Sequence, residues 1–418
     1  MSAEPARPPR IRHVHLILGL MALAIVVFVG TRLDSFKAKV SDMAAVTDGR
    51  AAAERLTSPD SLLAYVLRHP EQASLVVFDT DAPEDGLAIE AEAVRPMAGV
   101  PALALALAYA ESVEAGGLDP DEAVPYADIE VFTLPAIEGD RHLATLARMG
   151  LADTLMAQEG GAPPEEVVSV RTQIPLRRVV EAALTYSDRP ATDYLTLRFG
   201  PRTLRDALGN AGVDDPAAPV PMSGLYLAWT PEHRGTDAQS RLDGFLALPP
   251  AQQADTAFAV ATRLRDDDAY RARERERLRF QSLGMTVDQQ RAATASFPTG
   301  TAQAYADLLA GIATQAETGD AVATRVDTIL GNPLDLFAPL VGDAVVRGKA
   351  GGFTGVLSMA AYARQPDGAV RVAVLLLQDL PTAVFIEVGR QALDQGLLAG
   401  LLGSDAFFER AKAVAATP

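Results

Sequence analysis

Strand-forming sequence lies near the two ends of the globular part of this chain and is nearly absent between them. Before residue 98, "ASLVVFDTD" and "GLAIEAEAVRPM" have the β-branched and alternating residues typical of strands. After Gly342, "AVVRGKAGGFTGVLSMAAYARQPDGAVRVAVLLLQDL" predicts three more strands. The order predicts an α/β (α+β) fold, in which one antiparallel sheet is built from both chain ends, is flanked by helices, and carries an inserted, mostly helical subdomain.

Helical patterns fill most of the chain between these strands. "SPDSLLAYVLRHP" begins with a capping Ser58 or Asp60, and "PLRRVVEAALTYSDRPATDYLTLRFG" predicts two helices around a tight turn. "PRTLRDALGNAGV" predicts a short helix that ends at a glycine. Residues 263–280 carry dense charges of both signs, which predicts one solvated helix, and "AVFIEVGRQALDQGLLAGLL" predicts a closing helix. We assign the sheet part to about 57–97 and 326–418, and the helical part to about 98–325.

The N-terminal region predicts a membrane anchor. Residues 16–30, "LILGLMALAIVVFVG", are uninterrupted apolar sequence, and three arginines precede them at Arg7, Arg10 and Arg12. We expect a single-pass signal anchor over 14–31, a cytoplasmic tail over 1–13 and a juxtamembrane connector over 32–56 in a bacterial-type cell membrane. The domain at 57–418 is then periplasmic or extracellular. A cleaved signal peptide is the alternative.

Composition limits the function classes. The 418 residues carry a formal net charge of -17, which disfavours nucleic acid as a partner because nucleic-acid affinity depends on cations. There is no cysteine, so disulfides and thiolate metal sites are excluded. The five histidines show no metal-ligand spacing, and no glycine-rich loop follows a strand and opens a helix. We expect no metal and no cofactor; the sequence does not indicate an oligomeric state.

Three local segments, in this order along the chain, carry a resemblance to a known family. They are "RPMAGVPALALALAYAE", "TYSDRPATDYL" and "RGKAGGFTGVLS". The chain resembles the class A β-lactamase and penicillin-binding family of serine hydrolases, in its β-lactamase-like branch, over roughly residues 57–400. That family carries S-x-x-K at a helix start, then S-D-N, then K-[TS]-G on a strand. The resemblance implies a β-lactamase-like fold in which the three segments meet at one cleft.

The first segment lacks the family's chemistry. An alignment without gaps places Gly99 at the nucleophilic serine and Ala102 at the lysine one turn later. In the family, the serine lies at a helix N-terminus, where the macrodipole and free N–H groups stabilise an oxyanion, and the lysine relays its proton. Loss of the nucleophile lowers the kcat of a serine hydrolase about a millionfold. The resemblance therefore implies a catalytically impaired homologue, or pseudoenzyme.

The other two segments keep polar groups that could bind a ligand. Arg189 replaces the asparagine of the second motif, and Gly352 stands where a hydroxyl residue is common. The backbone N–H groups of Gly99 and Gly352 occupy the positions of the family's oxyanion hole. We expect the ligand-binding residues to be Ser187, Asp188, Arg189, Lys349, Gly351 and Gly352.

Two cations in one groove repel each other unless an anion joins them. Arg189 and Lys349 thus predict an anionic ligand, such as a peptide carboxylate from the cell wall or the acidic tail of a partner protein.

Other interpretations stay open at this point. Ser187 and Asp188 before a helix also form an ordinary N-cap, and Lys349 beside glycines is compatible with a solvated turn. An active serine hydrolase (a β-lactamase, D,D-peptidase or esterase) could use Ser187 as a displaced nucleophile with Lys349 as its base. A non-enzymatic scaffold could instead recruit partners through residues 263–280 and the anchor. Glu232 lies near the place of a deacylating glutamate, but the family's pattern is absent there.

Overall fold

The computed structural model describes residues 47–155, 166–214, 216–230, 237–281 and 284–416. The predicted tail and anchor, most of the predicted connector and Glu232 lie outside these ranges. Among the described residues, no helix combines the length and the apolar character that crossing a membrane requires.

Eleven strands are described. They are β1 (Ala73–Asp79), β2 (Ala82–Ile89), β3 (Arg95–Pro96), β4 (Ala123–Pro125), β5 (Ala152–Leu155), β6 (Glu166–Val170), β7 (Gln173–Pro175), β8 (Thr299–Gly300), β9 (Val345–Phe353), β10 (Val356–Arg364) and β11 (Val370–Leu377).

The described helices follow the same chain order. They are α1 (Arg50–Ala53), α2 (Pro59–Arg68), α3 (Leu103–Glu114), α4 (Tyr126–Glu130), α5 (Pro135–Glu138), α6 (Arg141–Arg148), α7 (Leu176–Leu184), α8 (Arg189–Asn210), α9 (Met222–Trp229), α10 (Ala238–Leu246), α11 (Pro250–Asp266), α12 (Asp268–Gln281), α13 (Val287–Ala293), α14 (Ala302–Glu317), α15 (Ala321–Ile329), α16 (Ala338–Val341), α17 (Thr382–Gln391), α18 (Leu393–Gly403) and α19 (Asp405–Ala415). Short 3-10 turns lie at Val100–Ala102, Thr294–Ser296 and Asp335–Phe337.

The main sheet confirms the prediction that both chain ends build it. Its five antiparallel strands lie in the order β2-β1-β11-β10-β9. The N-terminal strand β1 pairs directly with the C-terminal strand β11, so that Leu75 faces Leu375. Strand β9, which carries the third motif, is at one edge of this sheet.

Successive residues of the central strands enter opposite cores. Val76 and Val374 pack with α3 and α14 on one face, whereas Leu75 and Leu375 pack with α2 and α18 on the other. Side chains alternate along a strand, so a strand covered on both faces is mostly apolar, as β1 and β11 are apart from Ser74, Asp79 and Arg371. A third core, around Trp229, belongs to the helical part and reaches Phe353 at the end of β9.

The predicted strand "GLAIEAEAVRPM" is displaced. The strand β2 begins earlier and ends at Ile89, and the chain turns at Glu90, where φ is 46°. Ser74 Oγ donates to the carbonyl of Glu90 and accepts from the buried guanidinium of Arg95, which also donates to three carbonyls of residues 70–73. This clamp holds a compact turn, so the acidic residues after Ile89 do not extend the strand.

Two helix predictions need correction. Residues 263–280 form the end of one helix and most of another, because the carboxylate of Asp267 accepts the N–H of Tyr270 and starts a new helix. The closing helix is interrupted at Ala392, where φ is 48°, and α19 follows it. The short helix predicted after Gly200 is confirmed, because the non-helical dihedral angles of Gly200 (φ 76°, ψ 162°) divide α8 into two helices just before Pro201.

Candidate functional site

The structure brings the three motif segments together around one cleft. Gly99, Ala102, Ser187, Lys349 and Gly352 all line a small cavity of about 180 Å³. Most of its other walls are apolar and include Pro101, Val220, Met222, Phe297 and Phe353. The cleft lies between the start of α3, the turn before α8 and the edge strand β9.

The nucleophile position is closed by backbone. A Cβ atom at Gly99 would lie 2.6 Å from the carbonyl carbon of Ala350 and 2.8 Å from Gly351 Cα, and a Cβ at Gly351 would lie 2.6 Å from Gly99 Cα. Real Cβ atoms do not approach other carbons so closely. Gly99 has φ −92°, which any residue can adopt, so close approach and not backbone conformation explains the glycine.

The N–H of Gly99 already has a partner. It donates to Ser358 Oγ at 3.3 Å, and the N–H of Ala98 donates to the same oxygen at 3.0 Å. We expected the Gly99 N–H to remain available for an oxyanion. That expectation is wrong, because a hydroxyl from β10 fills the position.

Ser187 lies exposed at the mouth of the cleft in an unusual conformation. Its φ is 54°, in the left-handed region that costs a residue with a side chain some free energy. The next residue fixes the turn: Asp188 accepts the N–H of Ala191 at 3.0 Å as the N-cap of α8. The same carboxylate lies 2.9 Å from Nδ1 of buried His142, on α6. The N-cap interpretation of Asp188 therefore holds, and the turn that presents Ser187 is tied to α6.

Lys349 is buried behind Ser187 and is not solvated. Only 4% of the residue is exposed. Its Nζ lies 2.9 Å from each of the carbonyl oxygens of Ala183 and Leu184, at the C-terminus of α7, and 2.8 Å from Ser187 Oγ. Burial lowers the pKa of Lys349 from 10.5 to about 7. The solvated-turn interpretation is wrong, because strand β9 turns this side chain into the protein.

Arg189 is not a free cation in the cleft. Its guanidinium forms an ion pair with Glu138, lies 4.0 Å from the buried carboxylate of Asp193, and packs over the ring of Tyr226. Burial lowers the pKa of Arg189 and raises the pKa of Asp193. The predicted cationic pair of Arg189 and Lys349 is therefore wrong, since carboxylates neutralise the first and two carbonyls hold the second.

A second, larger cavity opens on the other side of the Ser187 turn. Its volume is about 980 Å³, and Ser187, Asp188, Arg189, Gly351 and Gly352 line it. The lining also contains side chains that the sequence did not single out, namely Arg141, His142, Thr145, Arg148, Asn332 and Arg347. We name this space the arginine cavity. Ser187 thus stands between an apolar cleft and a polar cavity.

Three arginines of this cavity lack a carboxylate partner among the described residues. Arg141 and Arg148 are exposed, and Arg148 packs over Tyr186. Arg347 is half-buried and donates to the carbonyl of Asp327 at 2.8 Å. The two carboxylates of the lining are already engaged, Glu138 with Arg189 and Asp188 with His142. The lining therefore keeps a net positive charge inside an acidic protein.

A sequence signal for part of this cavity existed but is weak. Arg141, Thr145 and Arg148 are spaced i, i+4, i+7, which puts them on one face of α6. Arg347, which lies on β9, joins them only through tertiary packing. Within the ranges that the structure covers, no three His, Cys, Asp or Glu side chains are grouped to hold a metal ion.

Comparison with known proteins confirms the family resemblance. Residues 60–223 match the beta-lactamase enzyme family, a range that includes the first two motif segments. No curated protein sequence matches the chain.

Solved structures of low sequence identity are similar along most of the chain. A β-lactamase from Chitinophaga pinensis is 15% identical over 82% of this chain and 98% of its own, with a TM-score of 0.46. A β-lactamase from Sphaerobacter thermophilus is 14% identical over 81% and 95%, with a TM-score of 0.46. The protein PBP-A is 14% identical over 82% and 96%, with a TM-score of 0.42.

Proposed function

We propose, from the match of residues 60–223 to the beta-lactamase enzyme family, that this protein is a β-lactamase-like pseudoenzyme with respect to the family's own acylation reaction and that it binds an anionic ligand. The family's acylation at the start of α3 is lost, and the arginine cavity binds the carboxylate of a peptide of the cell-wall type. The protein is anchored in the membrane by its N-terminal segment, with the domain outside the cytoplasm.

Two features support the loss of the family's acylation. Gly99 and Ala102 supply neither a nucleophile nor a base. The backbone of β9 also occupies the space where a side chain at position 99 would lie, and Ser358 takes the N–H that would stabilise an oxyanion. Replacing the two missing side chains would therefore not restore the site.

The observation that carries the binding proposal is the set of three arginines without carboxylate partners in the described structure. Arg141, Arg148 and Arg347 line one cavity, in a chain whose formal net charge is -17. Like charges gathered in a concave site raise the local potential and attract a ligand of opposite sign. Planar guanidinium groups also match the geometry of a carboxylate.

Isothermal titration with a cell-wall-type peptide tests the binding proposal. The full chain in mild detergent is titrated with N-acetylated L-lysyl-D-alanyl-D-alanine as the free acid and as the C-terminal amide. We expect the acid to bind and the amide to bind at least about threefold more weakly, since it lacks the charge that the arginines pair with. Equal affinity for acid and amide would refute a carboxylate site.

A triple replacement of Arg141, Arg148 and Arg347 by alanine should abolish the preference for the acid. Arg205→Ala is the matched control, because Arg205 is exposed on α8 and lies away from the cavity.

Nitrocefin turnover and penicillin labelling should both be absent in the parent protein. A covalent penicillin adduct would show that a β-lactam is still attacked and would overturn the pseudoenzyme assignment.

Fractionation of cells that express the full chain, or a chain starting at residue 47, tests the anchor. We expect the full chain in the membrane fraction, because residues 16–30 are uninterrupted apolar sequence. A full chain found only in the soluble fraction would contradict an uncleaved anchor.

A further inference from the structure

Ser187 and Lys349 form a pair whose arrangement the binding function does not require. Ser187 is an exposed residue that lines both cavities, whereas Lys349 is buried and its Nζ lies 2.8 Å from Ser187 Oγ. A binding residue needs no amine behind it. A nucleophile needs a base at this distance, with its own hydroxyl turned to the substrate.

The three contacts of Lys349 Nζ fit a neutral amine, and they fit an ammonium, which would donate to all three oxygens, equally well. A neutral amine has two N–H donors and one lone pair, whereas an ammonium has three donors. Two of the contacts are carbonyl oxygens, of Ala183 and Leu184, which can only accept. The third is a hydroxyl, which can donate to the lone pair. Burial, which lowers the pKa of Lys349 to about 7, favours this state of the amine at neutral pH.

Ser187 has an unusual backbone conformation, which the residues around it keep in place. Its φ of 54° is sparsely populated for a residue with a side chain. The turn is kept in place by Asp188, which caps α8 and contacts His142. Strained residues that the surrounding structure over-determines are concentrated at active sites.

A donor for a developing oxyanion is available beside Ser187. The strand β9 is at the edge of the main sheet, and in an antiparallel pair every second residue directs its N–H away from the neighbouring strand. Gly351 and Gly352 are consecutive on β9, and both line the two cavities with Ser187. One of the two therefore directs its N–H to the open side of the strand.

We infer that Ser187 is a nucleophile with Lys349 as its base, and that it accepts the acyl group of a small, flexible carboxylic ester that carries an anionic group. Ser187 Oγ attacks the ester carbonyl while its proton passes to Lys349 Nζ. The tetrahedral intermediate collapses, the bond to the alcohol oxygen breaks, and Lys349 returns the proton to the leaving alcohol. Water then cleaves the acyl-serine to a carboxylic acid and restores Ser187.

This inference goes beyond the proposed binding function but places the anionic part of the ester in the same arginine cavity. Rigid bicyclic β-lactams are not its substrates, because the family's binding mode brings the reacting carbonyl to the N–H of residue 99. That group is engaged with Ser358 and is covered by β9. Flexible esters can reach Ser187 from the larger cavity.

The test uses the full chain with 4-nitrophenyl acetate and with the monoanionic 4-nitrophenyl hemisuccinate. We expect release of 4-nitrophenolate and, after acid quenching, a mass increase of one acyl group on the peptide that contains Ser187. Ser187→Ala should lose both signals, and Ser187→Gly, which accommodates a positive φ without strain, should do the same. Ser240→Ala is the matched control, because Ser240 is an exposed serine whose hydroxyl donates to a carboxylate.

Lys349→Met should lower the rate by about a hundredfold, a typical contribution of a general base. If that variant does not fold, the mapping of the adduct in the parent protein decides alone. An adduct on any other residue, no adduct, or unchanged release by Ser187→Ala overturns the inference.

Failure of this inference and failure of the binding proposal give different results. If Ser187 is inert but the cavity binds anions, Ser187→Ala still binds the peptide acid and no ester reacts. If Ser187 reacts but the cavity binds no anion, both esters acylate it equally and the triple arginine replacement changes nothing.

Discussion

The two sides of the cleft differ in what fills them. At the start of α3, Gly99 meets the backbone of Ala350 and Gly351, and even its N–H is engaged. At the turn before α8, side chains and not backbone define the site, and Ser187 remains exposed to a cavity of about 980 Å³. Both sides belong to one fold and lie against the same edge strand.

This contrast shows that the cleft can have no side chain at position 99 and still keep an open, positively charged space beside it. On the Gly99 side, backbone atoms of β9 occupy the space that a side chain at position 99 would need. On the Ser187 side, the cavity is open, and its arginines give the lining a net positive charge. Substitutions can show whether the space at position 99 is filled by backbone and whether the cavity at Ser187 depends on its charges for binding.

The largest expected effect is that of Gly99→Ser. The added Cβ meets backbone atoms of β9, which cannot rotate away as a flexible side chain could. We expect the free energy of unfolding to fall by about 3 kcal/mol, at the upper end of overpacking effects. Urea denaturation of the variant and its parent measures the difference.

Gly209→Ser is the control for that experiment. Gly209 is an exposed residue of α8, and a Cβ there meets nothing within 4 Å. Its free energy of unfolding should change by no more than about 0.5 kcal/mol. A Gly99→Ser protein as stable as Gly209→Ser would mean that the two sides do not differ in available space.

The second effect concerns the buried amine of Lys349. The unfolded lysine keeps its proton up to about its ordinary pKa of 10.5, whereas the folded one loses it near 7. Between these values the unfolded state binds more protons, so the stability of the parent should rise with pH, by about 1.4 kcal/mol per unit from this group. In Lys349→Met this rise should disappear between pH 7 and pH 9.

Lys412→Met serves as the comparison for this pH dependence. Lys412 lies at the surface of α19, where its Nζ contacts the carbonyl of Asp85 and the carboxylate of Glu409. The Lys412→Met protein should keep the rise of the parent. Identical pH profiles for the parent and Lys349→Met would show that Lys349 keeps its charge in the folded protein.

The third effect concerns Asp188, which both caps α8 and contacts His142 on α6. Comparison with a cap residue that makes no second contact separates these two contributions. Asp188 and Asp320 both accept the N–H three residues later as helix N-caps, but only Asp188 also contacts a buried histidine. Asp320→Ala should cost about 1 kcal/mol of unfolding free energy, the usual value of a cap. Asp188→Ala should cost about 2 kcal/mol, because His142 loses its partner as well. Equal costs, measured by urea denaturation, would contradict the proposed tie between α6 and the turn.

Much of the fold could be predicted from the sequence because its signals are local. The strands β1, β10 and β11 are buried on both faces over most of their length, and their sequences are therefore mostly apolar. The turn between α7 and α8 follows from the capping Asp188. The break at Ala392 could not be predicted, since a left-handed alanine has no sequence signature.

Only the features of the site that depend on residues close together in the sequence could be predicted. The missing nucleophile follows from the sequence around Gly99, but the closure over it depends on Ala350 and Gly351, about 250 residues later. The charge of Arg189 was misjudged for the same reason: its partner Glu138 comes from a helix some 50 residues earlier. Which charged side chains pair with each other depends on the tertiary structure, so it cannot be predicted from the number of cationic residues in a motif.

The smallest effect concerns the individual arginines of the cavity and distinguishes exposed from half-buried charge. At low salt, Arg141→Ala, Arg148→Ala and Arg347→Ala should each weaken binding of the peptide acid by about threefold. Near 1 M salt, where the Debye length is about 3 Å, the losses for exposed Arg141 and Arg148 should vanish because solvent ions screen them. The loss for Arg347 should persist, since Arg347 is half-buried and fixed by the carbonyl of Asp327. Isothermal titration at both salt concentrations measures these losses. If all three respond to salt alike, the arginines act as surface charge and the open side of the cleft is not a formed binding site.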